Sequence, residues 1–379
     1  MSEQQLRGVI LTPDGFVDGQ VTVGRERIVA VDGVAVDEAT ARAACRPGVP
    51  LIVPGFIDLH VHGGGGRDVM DAGDAITTIA AAHVRCGTTS LLATTMTAPL
   101  DEIEAALSAV AASCGQRSPG CARVLGVHLE GPYINPERLG AQPAFATPAS
   151  IEQIRSLNRL APLRVITMAP EMPGHLELIT ALRGEGFLVQ IGHSAGSYDD
   201  GVAALQHGAT GFTHLFNAMT GLHHREPGMV GAALAHAQHA ELIPDLLHVH
   251  PGAIRAALRA IPCVYCVSDA TAAATMPDGD YRLGRHRVLK CMGGVRLPDG
   301  RLAGSALTLD QALRNLVGLG LPLAEASARV SRIAADYLGL AERGRIVTGA
   351  YADLVALDAQ LEVRHVYAQG ERIDIPHAA

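Results

Sequence analysis

At 379 residues the chain is longer than a single hydrophobic core usually grows, so one large domain with an accessory piece, or two domains, is expected. With 48% hydrophobic and 18% charged residues it is neither disordered nor a solvating chain, and it can bury a sizeable core. A formal net charge of -8 and the lack of any basic run exclude a nucleic-acid footprint, although a few local cations can still hold a small anionic substrate.

The opening MSEQQLRGVIL has neither a charged stretch leading into an apolar run nor a small-residue cleavage site, so a cytoplasmic location is expected. No segment reaches the roughly 20 consecutive apolar residues that a bilayer span needs, so no membrane partner is expected. The seven cysteines, an odd number in a long chain, suit reduced thiols. The first fifty residues are rich in Val, Ile and Gly, with turn signals at Pro13-Asp14-Gly15, Asp18-Gly19 and Asp32-Gly33, which reads as short hairpins. The C-terminal stretches RIVTGAYADLVALD and EVRHVYAQGERI alternate in the same way, so a small sheet built from both ends is inferred.

Between the ends, strand-like and helix-like segments alternate, the signature of βα units around a parallel sheet. The strand candidates are LIVPGFIDLH, TTSLLATT, RVLGVHLE, LRVITMAP, FLVQIGH, TGFTHLF, AELIPDLLHV and PCVYCVSD. Helices are predicted after most of them, including Asp74 to Cys86, Leu100 to Ser113, and Ser150 to Leu160 with Ser150 as N-cap. Eight such units favour a (β/α)8 TIM-like barrel over an open doubly wound sheet. No Gly-x-Gly-x-x-Gly or P-loop opens a helix, which speaks against nucleotide binding. In PCVYCVSD, Cys263 and Cys266 have the spacing of one half of a zinc site, but there is no second pair, and core packing is the better reading.

His60 and His62 end the first predicted strand, Glu130 the third, His193 the fifth, His214 the sixth and Asp269 the eighth. The C-terminal ends of parallel barrel strands open on one face, so these residues converge there. Residues two apart on a strand point the same way, which lets His60 and His62 act as a pair of imidazole ligands. A carboxylate with imidazoles suits zinc, or iron, cobalt or nickel, better than magnesium or calcium. Each residue alone reads as an ordinary polar strand end; the ordered set reads as a centre for a divalent transition metal, one or two per chain. Asp269, in Val-Ser-Asp-Ala, is either a ligand or the carboxylate that takes a proton from the attacking water and passes it to a leaving nitrogen.

At these residues the chain resembles the N-acetylglucosamine-6-phosphate deacetylases of the amidohydrolase superfamily. The resemblance runs through PGFIDLHVHGGGG at 54–66, HLEGPYINP at 128–136, IGHSA at 191–195, THLFNAM at 213–219, HREPG at 224–228, SDAT at 268–271 and LAGSALT at 302–308. It implies a barrel over residues 53–342 with a small β-sandwich from residues 1–52 and 343–379. It further implies that Glu130, His193 and His214 are the principal metal ligands, that His60 and His62 supply a further metal in some members, and that Asp269 is the acid/base. Asn217 and the Ala218 backbone match the substrate-binding turn, Arg225 and His248 the phosphate positions, and Leu302, Ala303 and Gly304 the lining of the substrate pocket. A homodimer with phosphate ligands reaching across the interface is also implied.

Three departures stand out. Gly140-Ala141-Gln142 replaces a usual Gly-Ala-His, so Gln142 would have to donate to the substrate carbonyl through its amide. Asp245-Leu246-Leu247 replaces Asp-Gly-Leu before His248, and a Gly common after Asp269 is absent. The expected reaction is deacetylation of N-acetylglucosamine 6-phosphate by metal-activated water with Asp269. The rivals are the galactosamine epimer or another acetamido substrate and, in a different class, a non-catalytic barrel that only binds.

Overall fold

The computed structural model describes residues 3–375. Its centre is a closed ring of eight parallel strands: β1 (Phe56–Val61), β2 (Thr88–Thr94), β3 (Arg123–Glu130), β4 (Leu163–Met168), β5 (Leu188–Ile191), β6 (Gly211–Phe212), β7 (His239–Leu242) and β8 (Cys263–Cys266). The first six pair side by side in chain order, and β7 pairs with β8. Short backbone bonds close the ring. The Leu215 N–H donates to the Glu241 carbonyl at 2.9 Å between β6 and β7, and the Asp269 N–H donates to the His60 carbonyl at 2.9 Å between β8 and β1. Every residue of β1 and β2 is buried, as strands covered on both faces must be.

Helices cover the outside, and their burial follows the sequence pattern. In Ile151–Leu160 the side chains of Ile154 and Leu157 are buried and Glu152 and Arg155 are exposed, while the Ser150 hydroxyl accepts the Gln153 N–H as an N-cap. Burying each of those two apolar residues contributes about 1.5–3 kcal/mol. The other two predicted helices form as Ala75–Val84 and Leu100–Gly115.

The two chain ends meet in one seven-stranded sheet, ordered Glu371–Ile373, Val363–Ala368, Leu354–Leu357, Leu51–Pro54, Gln4–Thr12, Gly15–Gly24, Arg27–Val36. It curls round a core of its own that includes Ile10, Val21, Ile28, Ile52 and Leu354. Two sequence readings need correction. LIVPGFIDLH is not one strand: Leu51–Pro54 joins the terminal sheet and Phe56–Val61 the barrel, so the chain crosses between layers at Gly55. Asp18-Gly19 and Asp32-Gly33 are not turns; they face each other in neighbouring strands with Gly19 opposite Gly33. A Cβ on Gly19 would stand 1.9 Å from the Asp32 carbonyl oxygen, so close approach of backbones, not chain reversal, requires glycine there. The reversal falls at Arg25, with φ 50.

The sheet is fastened to the barrel floor by an ion pair, Arg343 with Asp353, both buried. The Arg343 guanidinium also stacks on Tyr351, 4.0 Å from the ring centre, and lies 3.4 Å from the β2 hydroxyl of Ser90. Removing one member of a buried pair strands the other, at about 3–5 kcal/mol. Arg343→Met should therefore lower the unfolding free energy by that amount in urea titration; a change under about 1 kcal/mol would show the pair to be inert.

A further element has no counterpart in the sequence reading. Strands Gly279–Leu283, His286–Cys291 and Gly294–Arg296 form an antiparallel insert beyond β8. Leu283, Val288 and Val295 pack it against Met96 and Ala303 at the mouth of the barrel. No helix among the described residues is long and apolar enough to cross a membrane. All seven cysteines are free thiols, and Cys266 packs in the core as expected.

Candidate active site

The strand ends place the sequence-predicted cluster together. His60 on β1, His62 just after it and Glu130 at the end of β3 are buried, as are His193, His214 and Asp269 in the residues just after β5, β6 and β8. Two donor groups share Glu130. Its Oε1 lies 3.1 Å from His193 Nε2 and 2.9 Å from His214 Nε2, and those two nitrogens are 3.1 Å apart. Its Oε2 lies 3.1 Å from His62 Nε2 and 3.5 Å from His60 Nε2. Asp269 Oδ1 completes the second group at 3.3 Å from His62 and 3.4 Å from His60.

The outer ring nitrogens decide what faces the centre. His62 Nδ1 is 3.2 Å from the Thr94 carbonyl, His193 Nδ1 is 2.8 Å from the Arg138 carbonyl, and His60 Nδ1 is 3.0 Å from Glu241 Oε2. Each of those partners only accepts, so each Nδ1 carries a hydrogen and each neutral ring turns a bare Nε2 inward. Nitrogen lone pairs then face one another and the carboxylate oxygens of Glu130 and Asp269. Such an arrangement calls for cations between them, and the mixed imidazole and carboxylate donors fit a borderline transition metal at either group.

Electrostatics lead to the same requirement. Burial alone would push the imidazoles toward neutrality. Instead Glu130 and Asp269 hold His60 well above its ordinary pKa, and hydrogen bonds accepted by Asp269 and Glu130 carry His62 up to about 9. Burial likewise opposes ionisation of the two carboxylates, yet His60 and its neighbours hold Glu130 well below the usual range and Asp269 at about 2. The pocket is electrostatically a receptor for positive charge, which protons supply when nothing else does.

Beside the cluster lies a cavity of about 170 Å³ lined by, among others, Gln142, Asn217, Ala218, His248, Leu302 and Gly304, with Ala141 also on its wall. Wider clefts of about 660 and 620 Å³ border the terminal sheet, but none of the donor cluster lines them. His248 pairs with Asp245, Nδ1 to Oδ2 at 2.6 Å, leaving Nε2 as its free donor. Burial alone would lower the His248 pKa, but the hydrogen bond it donates to Asp245 raises it, which favours the imidazolium. Two residues expected at the substrate, Ala303 in the pocket lining and Arg225 at the phosphate, stand elsewhere. Ala303 is buried under the antiparallel insert because its N–H is taken by the Val295 carbonyl at 3.0 Å. Arg225 lies in an exposed loop and does not line the cavity within one chain.

Gln142 reaches the cavity, but its amide is engaged. Nε2 donates to Glu130 Oε2 at 2.6 Å and Oε1 accepts the Thr97 N–H at 2.7 Å. The expected donor to a substrate carbonyl thus braces Glu130 here. Sequence reasoning missed Glu241 and His128, which pack behind His60, and Met96 and Leu283, which line the cavity. His128 lies two residues before Glu130 on the same strand, a spacing that signals a shared face, and Glu241 is an acid within an apolar strand.

The backbone is strained at this centre. His193, His214, Ala218 and Asp269 have φ of 47, 28, 53 and 51, a region L-residues seldom enter. Strain of this kind gathers where surrounding structure dictates side-chain aim.

The amidohydrolase family matches residues 51–373. The chain belongs to that family, in its N-acetylglucosamine-6-phosphate deacetylase branch. This amidohydrolase is 41% identical over 372 residues to N-acetylgalactosamine-6-phosphate deacetylase of Escherichia coli O157:H7, covering 96% of the chain and 97% of that relative. It is 38% identical to N-acetylglucosamine-6-phosphate deacetylase of Vibrio furnissii over 330 residues, 85% of the chain and 82% of that relative. Among solved structures it is similar to a Mycobacterium smegmatis N-acetyl-D-glucosamine-6-phosphate deacetylase mutant in complex with N-acetyl-D-glucosamine-6-phosphate, with a TM-score of 0.89, 31% identity, and coverage of 98% and 100%. The Thermotoga maritima N-acetylglucosamine-6-phosphate deacetylase gives a TM-score of 0.88 at 31% identity, covering 98% of the chain and 99% of that structure.

Proposed function

We propose that the chain hydrolyses the amide of N-acetylglucosamine 6-phosphate to glucosamine 6-phosphate and acetate. The observation that carries this reading is the juxtaposition of Glu130, His193 and His214 with Asp269 on one small cavity. In this reading Glu130, His193 and His214 hold a transition metal, and His60, His62 and Asp269 offer a second position that shares Glu130. Zinc suits these ligands best, with iron, cobalt or nickel as alternatives. When bound, it polarises the acetamide carbonyl and acidifies water.

The chain's own groups do the rest. Asp269 takes the proton of the water that adds to the carbonyl carbon, then returns it to the sugar nitrogen as the carbon–nitrogen bond breaks. Asn217, the Ala218 backbone, Leu302 and Gly304 seat the sugar, and His248, held by Asp245, offers a charged donor to the phosphate. Arg225 joins it in a homodimer, reaching into the partner's cavity. Support for that face comes from Leu222 beside Arg225 and from Leu246 and Leu247 beside His248, which are 60%, 39% and 44% exposed. A sugar phosphate does not cross a membrane unaided, so the reading includes a cytoplasmic location.

The relative from Escherichia coli favours a second reading, the galactosamine epimer. The test is deacetylation of both epimers and of the unphosphorylated sugar by protein of measured metal content. The expected result is at least one metal per chain, loss of activity on chelation, and a higher kcat/KM for the phosphorylated glucosamine substrate. A higher value for the galacto epimer would move the assignment to it, and full activity in metal-free protein would end the reading.

A further inference from the structure

Glu241 lies on β7, wholly buried behind the donor cluster. Its Oε2 accepts from His60 Nδ1 at 3.0 Å and from the His214 backbone N–H at 3.2 Å, and its Oε1 accepts from the Tyr265 hydroxyl at 3.3 Å. Tyr265 in turn accepts from Gln190 Nε2 at 2.5 Å, and Gln190 Oε1 accepts from the Thr213 hydroxyl at 2.8 Å, so the carboxylate is locked in a polar floor across the barrel.

That floor could be built with neutral groups. An ionised carboxylate sealed from water costs several kcal/mol unless charge compensates it. Among the described residues, no Lys or Arg forms a salt bridge with Glu241; its ion-pair partners are His60 at 3.0 Å and the more distant His128 at 3.8 Å. His128 is already turned aside, with Nδ1 on the Leu59 carbonyl at 3.0 Å and Nε2 on the Thr167 hydroxyl at 2.8 Å. Compensation must therefore arrive through His60, from whatever cation its Nε2 meets. His62 and His193 are oriented by backbone carbonyls, whereas His60 is backed by a carboxylate. A carboxylate behind an imidazole fixes the tautomer and raises the basicity of the inward nitrogen.

We infer that Glu241 is a positioning residue that tunes His60 and thereby sets the affinity of the second metal position, formed by His60, His62, Asp269 and Glu130 Oε2. The inference rests on the metal-centred reading above and adds to it a residue that touches neither substrate nor metal. It commits the chain to two positions of unequal origin: Glu241 meets the Glu130, His193 and His214 group only at the His214 backbone N–H, which a glutamine oxygen can still accept, whereas it holds the His60 ring itself.

Zinc or cobalt titration of chelated full-length protein, followed by calorimetry and the cobalt visible spectrum, tests this independently of activity. Wild type should take up two equivalents. Glu241→Gln, which keeps the shape, should weaken the second by about 10–100-fold, the usual effect of losing such a partner, and leave the first unchanged. Glu241→Asp withdraws the charge by one methylene and should show the same selectivity, which decides the matter if the Gln variant does not fold. Equal weakening of both equivalents would mark Glu241 as a general packing residue and overturn the inference, as would an unchanged second equivalent. A wild type that binds one equivalent also overturns it while leaving the deacetylase reading intact; one that binds none overturns both.

Discussion

Asp269→Asn should retain its fold and the metal held by Glu130, His193 and His214 while losing about 10²–10⁴-fold in turnover, the usual worth of a positioned general acid/base. The substitution suits the question because asparagine tolerates the left-handed backbone that Asp269 occupies at φ 51. It keeps the size of the side chain and an oxygen within reach of His62, at 3.3 Å in the wild type, but cannot take a proton. KM should move far less than kcat, since the role lies in proton transfer rather than in holding the sugar. Near wild-type turnover in a metal-loaded Asn protein would remove Asp269 from the mechanism and leave it as a ligand.

Glu130→Gln should have the other large effect, for a different reason. Both oxygens of Glu130 are in use, Oε1 toward His193 and His214 and Oε2 toward His60 and His62. A neutral carboxamide is a poor ligand and turns an N–H toward one of these groups, so metal content and turnover should fall together. Polarisation of the carbonyl by a bound metal is worth several kcal/mol, and about 1.4 kcal/mol corresponds to tenfold in rate, so the loss should exceed about 10³-fold. Elemental analysis and single-turnover kinetics on the same sample check this. Full metal content in the Gln protein would show that Glu130 is dispensable for binding.

The residues of the candidate site were legible because they are chemically distinctive and stand at strand ends, where the barrel gathers them whatever their separation in sequence. What could not be read was how they are held. His62 and His193 are oriented by the carbonyls of Thr94 and Arg138, and a backbone carbonyl leaves no mark in a sequence. Gln142 was legible as a departure, but its bond to Glu130 depends on a loop path that residue types do not encode. The two Asp-Gly pairs were misread because glycine serves close approach as well as turns, and only pairing partners tell these apart. The antiparallel insert at Gly279–Arg296 carried turn signals such as Leu283-Gly284-Arg285, which went unread beyond the last barrel strand.

The left-handed backbone at His193, His214, Ala218 and Asp269 sets the fold against the chemistry. Each such residue costs about 1–2 kcal/mol relative to a relaxed conformation, and glycine would relieve the backbone at all four positions. Variation that rewards only foldability therefore drifts toward replacing two proposed ligands and the proposed proton carrier. These positions persist only while turnover is under selection, so in a lineage released from that demand they should be the first to go, well before the barrel around them loses its shape.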